Sequence, residues 1–200
     1  AECDNMATEL EIKLAAADAA VLRRVLQDPR LQGKQTLYEM DTTYYDLGDF
    51  YKERHWVLRR RLENGTPVIT MKTPGDAPHS RNEWECRADN PKDAVPKLLE
   101  LGAPEELATI EKFKALCSAH FTRTAVTLLR PDAIVEMACD RGVLVAGCNT
   151  SPICEIELEL KTGNPIALLP LRVYLTSKYN MHEEQRSKFA RALALTKKKS

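Results

Sequence analysis

The stretch Glu9-Leu10-Glu11-Ile12-Lys13-Leu14 alternates charged and aliphatic side chains. Because successive side chains of a β-strand point to opposite faces, this alternation predicts a strand with two carboxylates and an amine on one face and aliphatic side chains on the other. One such strand normally turns its polar face to water. The pattern gains weight because several later segments repeat it.

The later segments keep acidic and basic strands apart. The basic positions are Arg59, Arg61 and Lys72, and the acidic positions on other strands are Glu136, Asp140, Glu155, Glu157 and Glu159. Like charges two residues apart on one face repel each other, and solvated faces normally mix both signs. Carboxylate clusters bind hard divalent cations, and arginine or lysine clusters bind phosphate oxygens. A ligand that needs both clusters is a metal-bound polyphosphate.

The charged faces also limit the fold. Strands outnumber helices, and Asn64-Gly65 between two basic strands is typical of a two-residue hairpin turn. Many charges facing one another would be costly in a dry interior. We therefore expect an α+β protein built on a closed or nearly closed antiparallel barrel, with a wet bore and with apolar faces covered by outer helices.

The remaining segments predict helices and turns. We expect helices over Leu14–Leu26, Pro91–Leu101 and Pro104–Leu116, and a turn at Arg141-Gly142 between two short strands. Asn164-Pro165 opens a further long helix, and Ser187–Leu195 forms the last one.

Length and composition favour one domain and exclude several classes of protein. The 200 residues carry 29 acidic and 29 basic side chains, so the chain lacks the overall positive field of a nucleic-acid binder. No apolar run is long enough for a membrane span and no signal sequence opens the chain, so a cytoplasmic location is expected. We expect one domain over residues 8–195, preceded by a leader (1–7) and followed by a basic tail (196–200).

The cysteines and histidines indicate no separate site. The six cysteines include no C-x-x-C pair, and Cys86, Cys139 and Cys154 fall on apolar strand faces, as buried cysteines do. The four histidines are isolated, and none lies in a nucleophile motif with serine or cysteine.

The joint pattern of motifs resembles the CYTH superfamily, the triphosphate tunnel metalloenzymes, and is most similar to the bacterial CYTH inorganic triphosphatases. The motifs are E-x-E-x-K at Glu9–Lys13, L-R-x-R at Leu58–Arg61, M-K at Met71-Lys72, R-x-E-x-E at Arg81–Glu85, F-x-R at Phe121–Arg123, E-x-x-x-D-x-G at Glu136–Gly142, E-x-E-x-E at Glu155–Glu159 and S-K-x-x-R at Ser187–Arg191. They extend over most of the chain.

This resemblance implies an eight-stranded antiparallel β-barrel, the triphosphate tunnel, that binds triphosphate with Mg²⁺ or Mn²⁺ and hydrolyses a phosphoanhydride bond. The residues that it assigns to phosphate binding and catalysis are Lys13, Arg59, Arg61, Lys72 and Arg123, with Lys188 as a further phosphate ligand. The residues that it assigns to the metal are Glu9, Glu11, Glu157 and Glu159, with Glu136 and Asp140 completing the metal sphere and Glu83 completing it or positioning water. Glu155 is in phase with the last cluster, but the family needs only two carboxylates there. Arg81, Glu85 and Arg87 fit the tunnel or ion pairs among themselves at its rim.

Three alternative functions remain open at this stage. The same scaffold supports class IV adenylate cyclases, although no stretch of this chain indicates an adenine pocket. A thiamine triphosphatase would need an aromatic clamp at the tunnel mouth, for which Trp56, Trp84 and the tyrosines are candidates. A non-catalytic polyphosphate- or nucleotide-binding module could dispense with the glutamates. The expected partner is a triphosphate-containing small molecule, with no nucleic acid and no membrane. A homodimer, and a C-terminal CHAD domain in a longer parent protein, are open as well.

Overall fold

A computed structural model describes residues 5–197, with side chains from residue 9 onward. The predicted leader and basic tail extend over residues 1–4 and 198–200, which lie outside the described residues. Residues 5–7 form the beginning of the first strand.

Nine strands form one antiparallel sheet, and eight of them close into a barrel. The strands are β1 (Asn5–Ala15), β2 (Lys34–Tyr45), β3 (Val57–Glu63), β4 (Thr66–Pro74), β5 (Ser80–Arg87), β6 (Ala115–Arg130), β7 (Ala133–Ala146), β8 (Asn149–Gly163) and β9 (His182–Glu183). The order around the barrel is β5-β4-β3-β2-β6-β7-β8-β1, and a pairing between β1 and β5 closes it. The predicted eight-stranded antiparallel barrel is confirmed.

β1 closes the barrel by pairing with two strands in turn. Its residues 5–10 pair with β5, and its residues 11–15 pair with β8. The E-x-E-x-K stretch therefore lies at the seam, where acidic β8 meets the strands that carry the basic residues. β9 is a short addition beside the end of β1 and lies outside the ring.

Five α-helices accompany the strands within the described chain. They are α1 (Ala19–Leu26), α2 (Asp49–Arg54), α3 (Pro91–Glu100), α4 (Leu168–Tyr179) and α5 (Lys188–Leu195). Short 3₁₀ helices lie at Pro29–Leu31, Glu105–Thr109 and Pro165–Ala167. Within residues 5–197, no helix combines the length and apolar character needed to cross a bilayer.

Two apolar clusters lie outside the barrel, as the alternation predicts. One joins α1 and α4 to the outward side chains of β1, β6, β7 and β8, such as Ile12, Met137 and Leu158. The other packs α3 against the outward side chains of β3, β4 and β5, including Leu58 and Ile69. Cys86 and Cys139 are buried in these clusters, as expected, and Cys154 is partly buried.

The third apolar cluster lies inside the barrel, contrary to the expectation that the helices pack outside. Phe189 and Ala192 of α5 contact Phe121 of β6 and Leu144 of β7. These strand positions have the same parity as Arg123 and Asp140, so they face the bore. The bore is longer than its charged section, and α5 fills the remaining length with apolar side chains.

Three of the predicted elements are wrong. Pro104–Leu116 is not a helix: a 3₁₀ helix covers Glu105–Thr109 and β6 begins at Ala115. The predicted helix at Leu14 begins instead at Ala19, because β1 continues to Ala15 and the Asp18 side chain accepts hydrogen bonds from the Ala20 and Val21 amides as N-cap.

The predicted turn at Arg141-Gly142 is the third error, since β7 runs unbroken through it. Gly142 is needed there for close approach: a Cβ would lie 2.1 Å from the His120 carbonyl oxygen and 2.5 Å from Phe121 Cα on β6. The Asn64-Gly65 hairpin is confirmed, with φ of 49° and 83° at its two central residues.

Candidate active site

The inward faces of the strands form a charged bore that is open to solvent. One part, of about 650 Å³, is lined by Glu9, Glu11, Lys13, Arg59, Arg61, Lys72, Arg81, Arg123, Glu157, Glu159 and Lys188, together with Tyr44, Val57, Ser187 and Phe189. The adjoining end includes Glu83 and Glu136. Asp140 is fully buried behind Arg123. The structure thus brings every predicted site residue to one bore.

Arg61 is a buried cation without an anionic partner within the described chain. It is 4% exposed, and its Nε donates to Thr42 Oγ1 at 2.8 Å. Its guanidinium also lies over the Phe121 ring at 5.2 Å. Burial, and then the charges of Arg59 and Arg123, lower the pKa of Arg61 to about 10. An anion that entered the bore would relieve both effects.

Lys72 lies between two carboxylates on neighbouring strands. Its Nζ is 2.5 Å from Glu9 Oε2 and 3.2 Å from Glu83 Oε2, and Arg59 is 4.0 Å from Glu83. Burial opposes the charged forms, yet Lys72 and Arg59 lower the pKa of Glu83, and the surrounding carboxylates, Glu83 first, raise the pKa of Lys72. The charged forms of Lys72 and Glu83 are therefore favoured in the free protein.

Arg123 has its hydrogen bonds satisfied by two carboxylates. Its Nε and Nη2 donate to the two oxygens of Asp140 at 2.7 and 2.8 Å, and Nη2 also donates to Glu157 at 2.6 Å. The bidentate pair fixes the guanidinium plane. Burial by itself disfavours the charge, but these two carboxylates raise the pKa of Arg123 well above its usual value.

Lys188, at the first turn of α5, occupies an acidic cluster. Asp140, Glu155 and Glu157 each offer a carboxylate oxygen, and these oxygens lie within 4.8 Å of one another, a spacing that could hold a metal ion. The Lys188 ammonium takes this position, 2.6 Å from Asp140, 2.6 Å from Glu155 and 2.7 Å from Glu157. Burial opposes its charge, but these carboxylates raise the pKa of Lys188. Its ammonium protons are directed at protein carboxylates.

A second group of carboxylates is much less neutralised. Glu159 of β8 lies directly opposite Glu11 on β1 and Glu136 on β7, and all three face the bore. Among the described residues, the Glu11 side chain has no hydrogen-bond or ion-pair partner, whereas Glu159 contacts half-exposed Lys161 at 3.0 Å. Burial, followed by Glu9 and Glu136, raises the pKa of Glu159 despite that lysine. Burial likewise raises the pKa of Glu9.

Facing like charges on neighbouring strands are unfavourable in the absence of a cation. Glu9, Glu11, Glu136 and Glu159 all face the bore, and we call them the carboxylate row. Carboxylate oxygens are the ligands that Mg²⁺ and Mn²⁺ favour. The set around Lys188 has the mutual spacing of a metal site but is occupied by the ammonium, whereas Glu11 and Glu136 of the carboxylate row have no ion pair among the described residues.

The sequence indicated Arg81 for the tunnel or for ion pairs at its rim, but it did not single out Thr42 and Tyr44 of the bore. Arg81 lines both the bore and an adjoining opening near His79 and Glu183, and it has no ion pair within the described residues. Thr42 orients Arg61, and Tyr44 stacks on Phe189 of α5 at 4.9 Å between ring centroids. The side-chain parity of β2 places Thr42 and Tyr44 inside, which the alternation could have revealed.

Trp56 and Trp84 do not reach the bore. Both are 7% exposed and belong to the outer cluster beneath α3. They cannot form the aromatic clamp considered above for thiamine triphosphate.

Comparisons with known proteins agree with this geometry. The family model of the CYTH domain matches residues 7–193. The inorganic triphosphatase of Haemophilus influenzae is 30% identical over 168 residues, which cover 80% of this chain and 47% of that protein. The chain thus spans about half the length of this relative.

Solved structures share the fold at lower sequence identity. A Hippeastrum protein, described as a candidate adenylyl cyclase with a dominant triphosphatase activity, superposes with a TM-score of 0.61 at 18% identity, covering 93% of this chain and 95% of its own. The PH1819 protein of Pyrococcus horikoshii gives 0.59 at 22% identity, covering 93% and 98%. With a family match over nearly its whole length and a charged eight-stranded barrel, the chain belongs to the CYTH domain family.

Proposed function

We propose that this protein is a metal-dependent hydrolase that cleaves a phosphoanhydride bond of inorganic triphosphate within the bore. The observation that carries the proposal is a contrast inside one cavity. Within the described chain, Arg61 is a buried cation without a counter-anion, while Glu11 and Glu136 of the carboxylate row have no cationic partner and burial and neighbouring carboxylates raise the pKa of Glu159. A triphosphate with a divalent ion supplies both missing charges. The triphosphatase activity ascribed to the Haemophilus relative supports the same reaction.

In this proposal the basic residues bind phosphate and the carboxylates bind the metal. Arg59, Arg61 and Lys72 bind the phosphate oxygens, with Lys13 beside them because its contacts are loose, 3.8 Å to Glu157 and 3.4 Å to the Arg186 carbonyl. The carboxylate row holds Mg²⁺ or Mn²⁺, which when bound neutralises phosphate charge and lowers the pKa of a coordinated water. Water can approach the terminal phosphorus only after its oxygens are neutralised.

The other charged residues position these groups. Glu83 remains ionised between Lys72 and Arg59, so we assign it to holding both cations rather than to accepting a proton. Arg123, Asp140, Glu157 and Lys188 form an internal ion-pair network. Arg123, Glu157 and Lys188 also line the bore, and Arg123 can still turn one N–H toward phosphate. This gives Asp140 and Lys188 supporting roles in place of direct metal and phosphate contacts.

A substrate panel tests the proposal. Phosphate release is measured from inorganic triphosphate, ATP and thiamine triphosphate, each without metal and with Mg²⁺ or Mn²⁺. We expect turnover of inorganic triphosphate that requires metal and falls by about 10²-fold or more in Lys72→Ala, because one electrostatic stabiliser is lost. Product analysis for cyclic AMP separates a cyclase, and binding without turnover identifies a non-catalytic module.

Lys52→Ala serves as the matched control, since Lys52 lies on α2, is 74% exposed and pairs with Asp49 outside the bore. It should retain turnover at saturating metal. Parental turnover by Lys72→Ala under the same conditions would rule out hydrolysis in the bore.

A further inference from the structure

Ser118, His120 and Asp41 form a hydrogen-bonded chain on the outer surface of the barrel. Ser118 Oγ lies 2.9 Å from His120 Nε2, and His120 Nδ1 lies 3.0 Å from Asp41 Oδ1. No sequence motif indicates this chain of residues, because Asp41 is far from the other two in sequence. The antiparallel register of β2 and β6 brings Asp41 directly opposite His120.

The surface group is separate from the bore. Even-numbered residues of β6 point outward in this region, whereas Phe121 and Arg123 point inward. His120 is 47% exposed and Asp41 is 56% exposed at the side chain, and Ser118 is of intermediate exposure, so a reagent in solution can reach all three. A groove beside them is lined by Leu62, Thr122 and Arg141 as well as by Asp41 and His120.

From this geometry we propose that Ser118 is an activated nucleophile that accepts small acyl groups from activated esters. The Asp41 carboxylate favours the tautomer with its proton on Nδ1, which leaves Nε2 to accept the Ser118 hydroxyl proton. Val145 lies opposite Ser118 and Val143 opposite His120 on β7, and both are half-buried. These two aliphatic side chains form an apolar surface for the acyl group.

The reaction has a balanced course. Ser118 Oγ attacks the ester carbonyl carbon while its proton passes to His120 Nε2, and the imidazolium is stabilised by Asp41. The carbonyl-to-oxygen bond of the leaving group breaks, and p-nitrophenolate departs with the electron pair. The products are acyl-Ser118 and p-nitrophenolate. Hydrolysis of the acyl-Ser118 ester by water regenerates the hydroxyl and releases the carboxylic acid.

The surroundings of Ser118 make this a slow reaction. Ser118 is paired with Thr43 on β2 and Val145 on β7, so the backbone amides around it serve the sheet ladder rather than an oxyanion hole. Loss of one oxyanion donor alone costs about 10²–10³-fold in rate in serine hydrolases. Acylation of one serine per chain, with slow release, is therefore the expected outcome.

The test uses p-nitrophenyl acetate with the full chain at neutral pH. Peptide mass mapping should find one acetyl group on Ser118, and formation of this acetyl-serine should disappear in Ser118→Ala. His120→Gln should slow it by about 10²-fold, since general-base assistance is lost. Asp41→Asn should slow it too, because the amide no longer favours the productive tautomer.

Ser151→Ala is the matched control, because Ser151 is also of intermediate exposure and has no histidine partner among the described residues. Ser151→Ala should be acetylated at Ser118 like the parent. Ser118→Ala should retain the parental melting temperature and phosphate release, which separates this site from the bore. Equal Ser118 acetylation in the parent and His120→Gln, or acetylation confined to lysines, would overturn the proposal.

Discussion

Arg61 shows how one residue can favour ligand binding over stability. Most buried cations in this barrel are paired with carboxylates, but Arg61 donates to a threonine hydroxyl and faces other arginines. Removing one partner of a buried ion pair destabilises a protein, because the other charge is left uncompensated. Replacing an unpaired buried charge by an apolar side chain should be neutral or stabilising, because the cost of burying that charge is removed. Replacing Arg61 by an apolar side chain should therefore preserve or raise the stability of the protein while it lowers the binding and hydrolysis of triphosphate.

We predict that Arg61→Met lowers kcat/KM for inorganic triphosphate by about 10²-fold or more, because an electrostatic contact to phosphate is lost. Its free energy of unfolding without ligand should equal or exceed that of the parent. Arg60→Met is the control, since Arg60 is the next residue on β3, faces outward and donates to the Asp89 carbonyl. Urea denaturation and phosphate-release kinetics measure both quantities. A variant with parental kcat/KM would remove Arg61 from the binding site.

Lys188 behaves in the opposite way. Its ammonium neutralises three buried carboxylates, so we predict that Lys188→Met lowers the free energy of unfolding by about 3–5 kcal/mol at pH 7. Lys161→Met, which loses an exposed ion pair, should lose at most about 1 kcal/mol. Because the carboxylate oxygens left without the ammonium lie within 4.8 Å of one another, added Mn²⁺ should restore part of the stability to Lys188→Met.

The stability and the triphosphate affinity of Lys188→Met together distinguish a role of Lys188 as counter-ion from a role as phosphate ligand. A loss of triphosphate affinity in Lys188→Met without any change in urea denaturation would show that Lys188 serves the substrate directly.

At the scale of elements, β6 and β7 approach closely because Gly142 has no side chain. We predict that Gly142→Ala lowers the free energy of unfolding by about 2–3 kcal/mol, since the added methyl group must separate the two strands at His120 and Phe121. Gly147→Ala is the control: Gly147 has positive φ but open space around it, so only backbone strain, about 1 kcal/mol, is expected. If thermal or urea denaturation showed equal losses of unfolding free energy in the two variants, close packing of β6 against β7 would not be the reason for the glycine at position 142.

The sequence predicted which faces of the strands carry charge, because the period-two alternation is a local property of each strand. It could not predict the ionic partners. Lys188 is distant in sequence from Asp140, and barrel closure together with the entry of α5 brings them into contact. The amphipathic pattern of α5 revealed an apolar face but not that the face would pack inside the barrel. The Pro104–Leu116 prediction failed because only Glu105–Thr109 form a 3₁₀ helix, residues 110–114 form no regular element and β6 takes the last two residues.

For the whole molecule, the carboxylate row links stability to pH and metal. Burial raises the pKa of Glu9 and Glu159, with Glu83 adding to the effect at Glu9 and with Glu9 and Glu136 adding to it at Glu159. The folded protein therefore binds more protons there than the unfolded chain. This contribution to stability is present below the ordinary glutamate pKa of 4.5 and is lost as pH rises through the raised values. In metal-free buffer, Glu159→Gln should therefore gain stability over the parent as pH rises.

Added metal should reverse the difference in stability between Glu159→Gln and the parent. Mg²⁺ or Mn²⁺ binds the parent and raises its melting temperature, whereas Glu159→Gln has lost one ligand and should gain less. Melting curves at several pH values, with metal and with chelator, measure both effects. If metal raised the melting temperature of the two proteins equally, the carboxylate row would not be the metal site.

The position of the apolar clusters on both sides of the barrel wall has a practical consequence. Two of the apolar clusters described above lie outside the wall, and the ion pairs of the candidate active site lie within it. Concentrated sulfate stabilises buried apolar contacts because it is excluded from protein surfaces. As a tetrahedral divalent anion it also resembles phosphate and can bind the same basic side chains. Protein purified in ammonium sulfate should therefore be stabilised but inhibited, and the proposed triphosphate hydrolysis should return when the sulfate is removed by dialysis.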